Sequence, residues 1–414
     1  MDKDTLTLTK YLIPLSPTWL REQTQQLQLD RYVKKLDAAT TAKVFIFAQL
    51  MQFKHYTDIS RQVNQQKKLQ EAVGLSSIST SQLSRRWRDL DYTFMERVYQ
   101  HVVQQVTDRY GVAKAGQKLG QMQLIDATTM TLCLSKYPWA TYSKHKGAVR
   151  LHLRFIQTAA GGYPDVAVLT NGNVAERKHL DDLEVYEAGA LLVFDRGYVD
   201  YKRFDEYCTQ AILFVTRLRC NADFKEIEIR QVPPDSEVLT DRIVWLGYQG
   251  TRYRMKHYVR IIECLDKDGN VMMLCTSDFK RSAEELRQIY RYRWKIEMFF
   301  KWIKQHFHVK QFYGTSRNAV FNQIYAALIA FCLGLLMQGH VHHKGKLLEL
   351  VKQVRMSWSA PLWEMLRWLF AKPGRESKGR RKAIDVEQQY EAICRASETG
   401  ELRQLEMLEY GMLL

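Results

Sequence analysis

The chain has 414 residues, 46% hydrophobic and 26% charged, which excludes low-complexity disorder over most of its length and leaves room for two or three domains. Lys and Arg number 61 against 45 Asp and Glu, a formal net charge of +16, so the expected partner is a polyanion, nucleic acid before a membrane surface. Seven scattered cysteines contain no CxxC pair, which argues against a disulfide framework or a thiolate zinc site and for a reduced, intracellular protein.

The start, Met1-Asp2-Lys3-Asp4-Thr5, lacks the basic and apolar regions of a signal peptide. Up to about Lys118 the pattern is helical. Thr40 or Thr41 is expected to cap a helix through AKVFIFAQLMQF. Farther on, LQEAVGL breaks at Gly74 and a hydroxyl-capped segment follows from Ser79, with Arg85, Arg86 and Arg88. That order suits the second helix of a helix-turn-helix as well as a plain bundle corner, and the three arginines are candidate DNA contacts.

From Leu119 the texture changes to short apolar runs broken by Gly, Pro and Asn. GQMQLIDATTMTL, VRLHLRFIQTA, DVAVLTNGN and ALLVFDRGY read as strands, with a helical stretch over 181–190. After ILFVTRL comes a β-rich block from about Arg219 to Thr276, in which Asp268-Gly269 signals a hairpin. Long helices are expected from Ser282 to about Val341. Their most apolar run, Ile324 to Met337, is 14 residues, short of the roughly 20 that a membrane span needs, and reads as a core helix. His340, His342 and His343 after it lack an acid or Cys at metal spacing and read as a solvated helix end. A cationic linker from Lys372 to Lys382 and an acidic helical tail close the chain.

Two aspartates end apolar strands, Asp126 in QLIDAT and Asp195 in LLVFDRGY. Each is costly there unless the strand end opens on solvent, a partner or a metal. Between Arg287 and Lys310 stand seven Lys/Arg and one acid, Glu297. On one continuous helix Tyr290, Arg293, Glu297 and Lys304 fall within roughly 60° of one another, while Ile289, Ile296, Phe299, Phe300, Ile303 and Phe307 point to the other side. An Arg293–Glu297 ion pair on a solvated helix would explain that face alone. Together with the two strand aspartates it reads as three carboxylates able to hold two hard divalent cations for phosphodiester chemistry.

The spacing Tyr290-x2-Arg293-x3-Glu297-x6-Lys304 resembles the YREK signature of bacterial insertion-sequence DDE transposases of the insertion-sequence-four group. Asp126 in I-D-A-T and Asp195 in F-D-R-G-Y match the regions carrying that group's aspartates, and Lys146 to His152 resembles the strand between them. The resemblance covers about Gln121 to Leu336 and implies an α/β, RNase H-like catalytic core. An all-β insertion would interrupt that core in the roughly 100 residues between Asp195 and Glu297. The expected layout is a helical DNA-binding region over 1–118, core over 119–218, β insertion over 219–277, core helices with the signature over 278–343, and a C-terminal helical region over 344–414.

By the same resemblance Asp126, Asp195 and Glu297 are the catalytic, metal-ligating residues for Mg²⁺, with Mn²⁺ as a substitute, and Tyr290, Arg293 and Lys304 hold phosphates. The group's base-stacking Trp has Trp245 as its candidate here, and a core or interface role competes with that reading. The implied activity is cut-and-paste transposition at terminal inverted repeats through a DNA hairpin. The partners are double-stranded DNA and, when two ends are paired, a second copy of the chain; the setting is the bacterial cytoplasm, at the nucleoid, with no membrane. An inactive end-binding protein and an RNase H-like structure-specific nuclease are the alternatives.

Overall fold

The computed structural model describes residues 5–371 apart from 112–121, 159–160, 174–179, 184–188, 235, 248–252, 267–268, 308 and 310. The cationic linker, the acidic tail and Asp268 therefore lie outside the described residues. The chain forms two compact units, one of residues 5–183 with Arg293–Ala371 and the other of residues 189–292.

The first unit opens with α1 (Thr7–Leu12), α2 (Pro17–Gln26), α3 (Ala38–Leu50), α4 (Tyr56–Gln65), α5 (Lys67–Val73), α6 (Thr80–Asp89) and α7 (Tyr92–Tyr110). The cap of α3 is Asp37, not the expected threonines. Its carboxylate accepts the Thr40 amide at 2.6 Å, and an ionised oxygen just ahead of the helix takes that amide in preference to a hydroxyl inside the first turn. Gly74, at φ +77°, ends α5 in a left-handed conformation that favours glycine, and Ser79 with Gln82 forms a capping box at the start of α6.

Strands β1 (Met122–Leu132), β2 (Thr141–Ser143), β3 (Lys146–Thr158) and β4 (Gly161–Asn171) follow, then the short α8 (Leu180–Leu183). β3 pairs antiparallel with β1, β2 and β4, and the register sets Asp126 opposite Leu153 and Thr128 opposite Leu151.

In the second unit β5 (Leu191–Phe194) runs parallel to β6 (Leu213–Leu218), with α9 (Tyr201–Thr209) as the crossover. The β-rich block supplies β7 (Phe224–Arg230), β8 (Val238–Leu246), β9 (Val259–Leu265) and β10 (Val271–Thr276). These form an antiparallel meander whose last strand, β10, pairs with β6, so the insertion extends the sheet that β5 and β6 begin. Helix α10 (Ala283–Arg291) ends this unit.

The chain returns to the first unit with α11 (Trp294–His306), α12 (Arg317–His340), α13 (Leu347–Met356) and α14 (Leu362–Leu369). α12 is long and apolar enough to cross a membrane, yet 94% of its most apolar window is buried inside the protein. α3 is buried nearly all round as well, and α12 packs against both α3 and α7, whose inward residues Phe94, Val98, Val102 and Val106 recur at helical spacing. Polar groups on α12 find partners in the N-terminal helices: Asn322 Nδ2 donates to the Leu90 carbonyl at 2.8 Å and the Tyr325 hydroxyl to Glu96 at 2.8 Å. Helices from both sides of residue 118 thus share one core.

Candidate active site

β1 is buried over Met122–Ile125 and becomes half-buried at Asp126, Ala127 and Thr128. Strand alternation puts Asp126 and Thr128 on one face. Helix α11 lies against that face. Its buried residues Ile296, Phe299, Phe300 and Ile303 are those expected to point inward, and the Phe299 ring sits 5.2 Å from Phe155 of β3 and 5.0 Å from Phe331 of α12. Its other side carries Arg293, Glu297 and Lys304.

The helix is not continuous from Tyr290 to Lys304 as the sequence suggested. α10 stops at Arg291, and the amides of Tyr292 and Ile296 bond three residues back, to Ile289 at 3.0 Å and Arg293 at 3.2 Å. This tightened turn separates Tyr290 from the other three signature residues and coincides with the boundary between the units.

In the first unit one guanidinium nitrogen joins two of the three candidate metal ligands. Arg293 Nη1 lies 2.5 Å from Glu297 Oε1 and 3.4 Å from Asp126 Oδ2. The two carboxylate oxygens are therefore no farther apart than those two legs together. The side chains are 17% (Arg293), 16% (Asp126) and 32% (Glu297) exposed, a partly desolvated cluster that solvent still reaches. Asp126 Oδ1 also accepts its neighbour's amide, Ala127 N, at 2.8 Å, and Lys304 Nζ donates to Thr128 Oγ1 at 2.6 Å. Thr128 was not among the expected site residues, although its spacing of two from Asp126 on a strand was the signal that placed it there.

In the second unit Asp195 follows the buried strand β5 and begins the 3-10 turn Arg196–Tyr198, whose Tyr198 amide bonds back to the Asp195 carbonyl at 3.0 Å. The Tyr290 hydroxyl, on α10, donates to Asp195 Oδ1 at 3.4 Å. Each of the three acids thus meets an aromatic or cationic residue of the signature. Among the described residues no group of three His, Cys, Asp or Glu is gathered closely enough to hold a metal ion. The donor chemistry still suits one: Asp126 and Glu297 offer hard oxygens that already converge on a single cationic group.

The three candidate DNA-binding arginines of α6 divide. Arg85 is exposed beside a 510 Å³ cleft that Lys54, Ser81, Ser84 and Tyr313 also line. Arg88 is exposed and bonds the adjacent Asp89. Arg86 is the correction. It turns inward, pairs with Asp30 and donates to the Leu29 carbonyl at 3.2 Å, which leaves its guanidinium tied to the fold rather than offered to a phosphate. Trp87 beside it is fully buried and stacks on Phe45 of α3 at 3.6 Å, which anchors α6. Trp245 on β8 is half-buried, donates its indole N–H to the Met255 carbonyl, and lies under the Arg254 guanidinium, 3.7 Å from its ring centre.

Comparison with known proteins places these residues in a family. The Transposase DDE domain model matches residues 118–333, just over half of the chain, and so spans Asp126, Asp195 and the whole signature. "Probable transposase for insertion sequence element IS5377" of Geobacillus stearothermophilus is 29% identical over 265 residues, 63% of this chain and 67% of that protein. A Sinorhizobium fredii relative bearing the qualified name of transposase y4zB is 30% identical over 217 residues, 51% of this chain and 59% of its own length. Among solved structures, the piggyBac transposase synaptic complex with hairpin DNA overlays with a TM-score of 0.47 at 11% identity, over 89% of this chain and 83% of that one. On the family match, the chain belongs to the Transposase DDE domain family.

Proposed function

We propose that this chain cuts and joins DNA at the terminal inverted repeats of an insertion element. The observation that carries the reading is the convergence of Asp126 and Glu297 on one cationic group, with Lys304 held beside them on the same strand face. A solvated helix-face ion pair would not draw in an acid from another element.

Asp126, Asp195 and Glu297 would hold Mg²⁺, for which Mn²⁺ can substitute. Bound there, the divalent ions would activate the attacking oxygen and stabilise the leaving one. The chain's own residues would position the DNA. Arg293 has the planar donor fork suited to a phosphate, and Lys304 a point charge that can hold the next one. Tyr290 would steady both Asp195 and the strand beside it. Water attack at the phosphorus releases a 3′-hydroxyl at the transposon end. That hydroxyl attacks the opposite strand to form a hairpin, a second water reopens it, and the same end then attacks target DNA.

Two ends require two active sites, so the working form would be a homodimer on paired ends, in the bacterial cytoplasm at the nucleoid. End recognition would fall to the N-terminal helices through Arg85, Arg88 and Lys54, with Trp245 available to the strand near the cut. Incubating the chain with a labelled terminal repeat, target DNA and Mg²⁺ tests the reading. Hairpins and joined target are expected. Nicks alone would leave a nuclease, and end binding without any product would leave an inactive binding protein.

A further inference from the structure

We infer that Arg293 is a removable counter-ion: it occupies the seat between Asp126 and Glu297 until a DNA phosphate draws it away, so DNA must engage before the acids take up metal efficiently. This rests on the metal-site reading above and adds an order of binding to it.

The geometry is tertiary, not a feature of the helix alone. An i,i+4 pair would join Arg293 to Glu297 and stop there. Here the same nitrogen also reaches Asp126, 167 residues away on β1, so one guanidinium bridges two carboxylates. The nearby ammonium of Lys304 is engaged by the Thr128 hydroxyl at 2.6 Å. Partial burial strengthens these attractions relative to open solvent and weakens their screening by salt. A divalent cation entering between the two acids must therefore displace the guanidinium or share its oxygens against charge repulsion.

Arg293 sits at the N-cap of α11 on the tightened turn, with a long side chain that can swing while the backbone stays in place. A phosphate offers that guanidinium two parallel acceptors in place of one oxygen from each of two acids. Its departure removes the guanidinium that Asp126 and Glu297 share and opens the space between their oxygens to a hard cation. Binding of DNA and of metal then reinforce each other, and by linkage each raises the affinity for the other by the same factor.

The experiment counts free Mn²⁺ by electron paramagnetic resonance against the full-length chain, with and without a terminal-repeat duplex, after subtracting Mn²⁺ held by duplex alone. For the parent chain, duplex should tighten Mn²⁺ binding by about tenfold or more, within the usual roughly 5- to 150-fold range of site-to-site coupling. Arg293→Gln should bind Mn²⁺ without DNA nearly as tightly as the parent does with it, and duplex should then add little. Arg293→Lys, which keeps the charge but not the fork, should fall between the two, and serves should the Gln variant not fold. Parent affinity unchanged by duplex, or an Arg293→Gln affinity no tighter than the parent's, overturns the inference. Glu297→Gln separates the two readings. If it weakens Mn²⁺ binding on DNA, the metal site stands whatever Arg293 does; if it leaves binding unchanged, the metal site itself fails.

Discussion

Two arginine–carboxylate clusters, one in each unit, use the same groups to opposite ends. In the second unit Arg260 and Asp241 are 1% and 4% exposed and paired twice, at 2.8 and 2.7 Å, while the remaining Arg260 nitrogen donates to the Asp278 and Arg281 carbonyls. Charge balances one to one and the arginine is saturated, so the cluster locks β8, β9 and the entry to α10 together. In the first unit Arg293 serves two acids through one nitrogen, at 2.5 and 3.4 Å and with solvent access. A shared nitrogen and solvent access, rather than the presence of an ion pair, distinguish a site that can exchange its cation from one that holds a fold together.

The sharpest way to break this contrast is at the acids. Glu297→Gln or Asp126→Asn should suppress DNA cleavage by orders of magnitude in a gel assay. For Glu297→Gln, at the most exposed member of the cluster, folding stability should change by no more than about 1 kcal/mol. Cleavage at the parent's rate would return Glu297 to the role of a helix-face partner.

At the locked cluster the expectation is reversed. Asp241→Asn should cost about 3–5 kcal/mol in urea denaturation, because it strands a buried guanidinium. Replacing both partners with apolar residues of similar volume should recover most of the loss. A single variant with an unchanged midpoint would mean that the cluster is not structural.

Acid should unlock the second unit by a further route. Burial disfavours the Asp205 carboxylate, but the amides of Lys256 and His257, the His257 ring and the Tyr253 hydroxyl outweigh it and hold its pKa below the ordinary value. Asp278 is shifted the same way: burial again opposes ionisation and is outweighed by the backbone amides of Arg281 and Lys280 and by the Arg281 guanidinium. A depressed folded pKa contributes stability that is complete above the unfolded value, about 3.9, and is lost as pH falls through the folded one. Denaturation midpoints should therefore drop from about pH 4 downward, and Asp205→Asn should flatten that limb while lowering stability at neutral pH.

The smallest effects belong to α6. Arg85→Ala should weaken DNA binding across sequences and reduce the salt slope of a shift assay by about 1, with the fold unchanged. Arg86→Ala should instead lower the thermal midpoint by leaving Asp30 without its guanidinium, and change the salt slope little. Point variants suit this question better than truncation at 118, since removing α3 and α7 would uncover α12.

Much of this molecule is written in local periodicity. The strand alternation at Asp126, the one-sided apolar stripe of α11, the Ser79 cap and the four-residue signature are all short-range patterns, set by helix and strand geometry, and a sequence displays them directly. The choice of partner across long separations is not written there. That Arg86 faces inward, that α12 lies within the N-terminal helices, that the helix tightens after Tyr290, and that one nitrogen of Arg293 reaches Asp126 were decided by tertiary packing. Periodicity specifies which face of an element is buried, but the charge that waits opposite a given side chain depends on how distant segments are brought together.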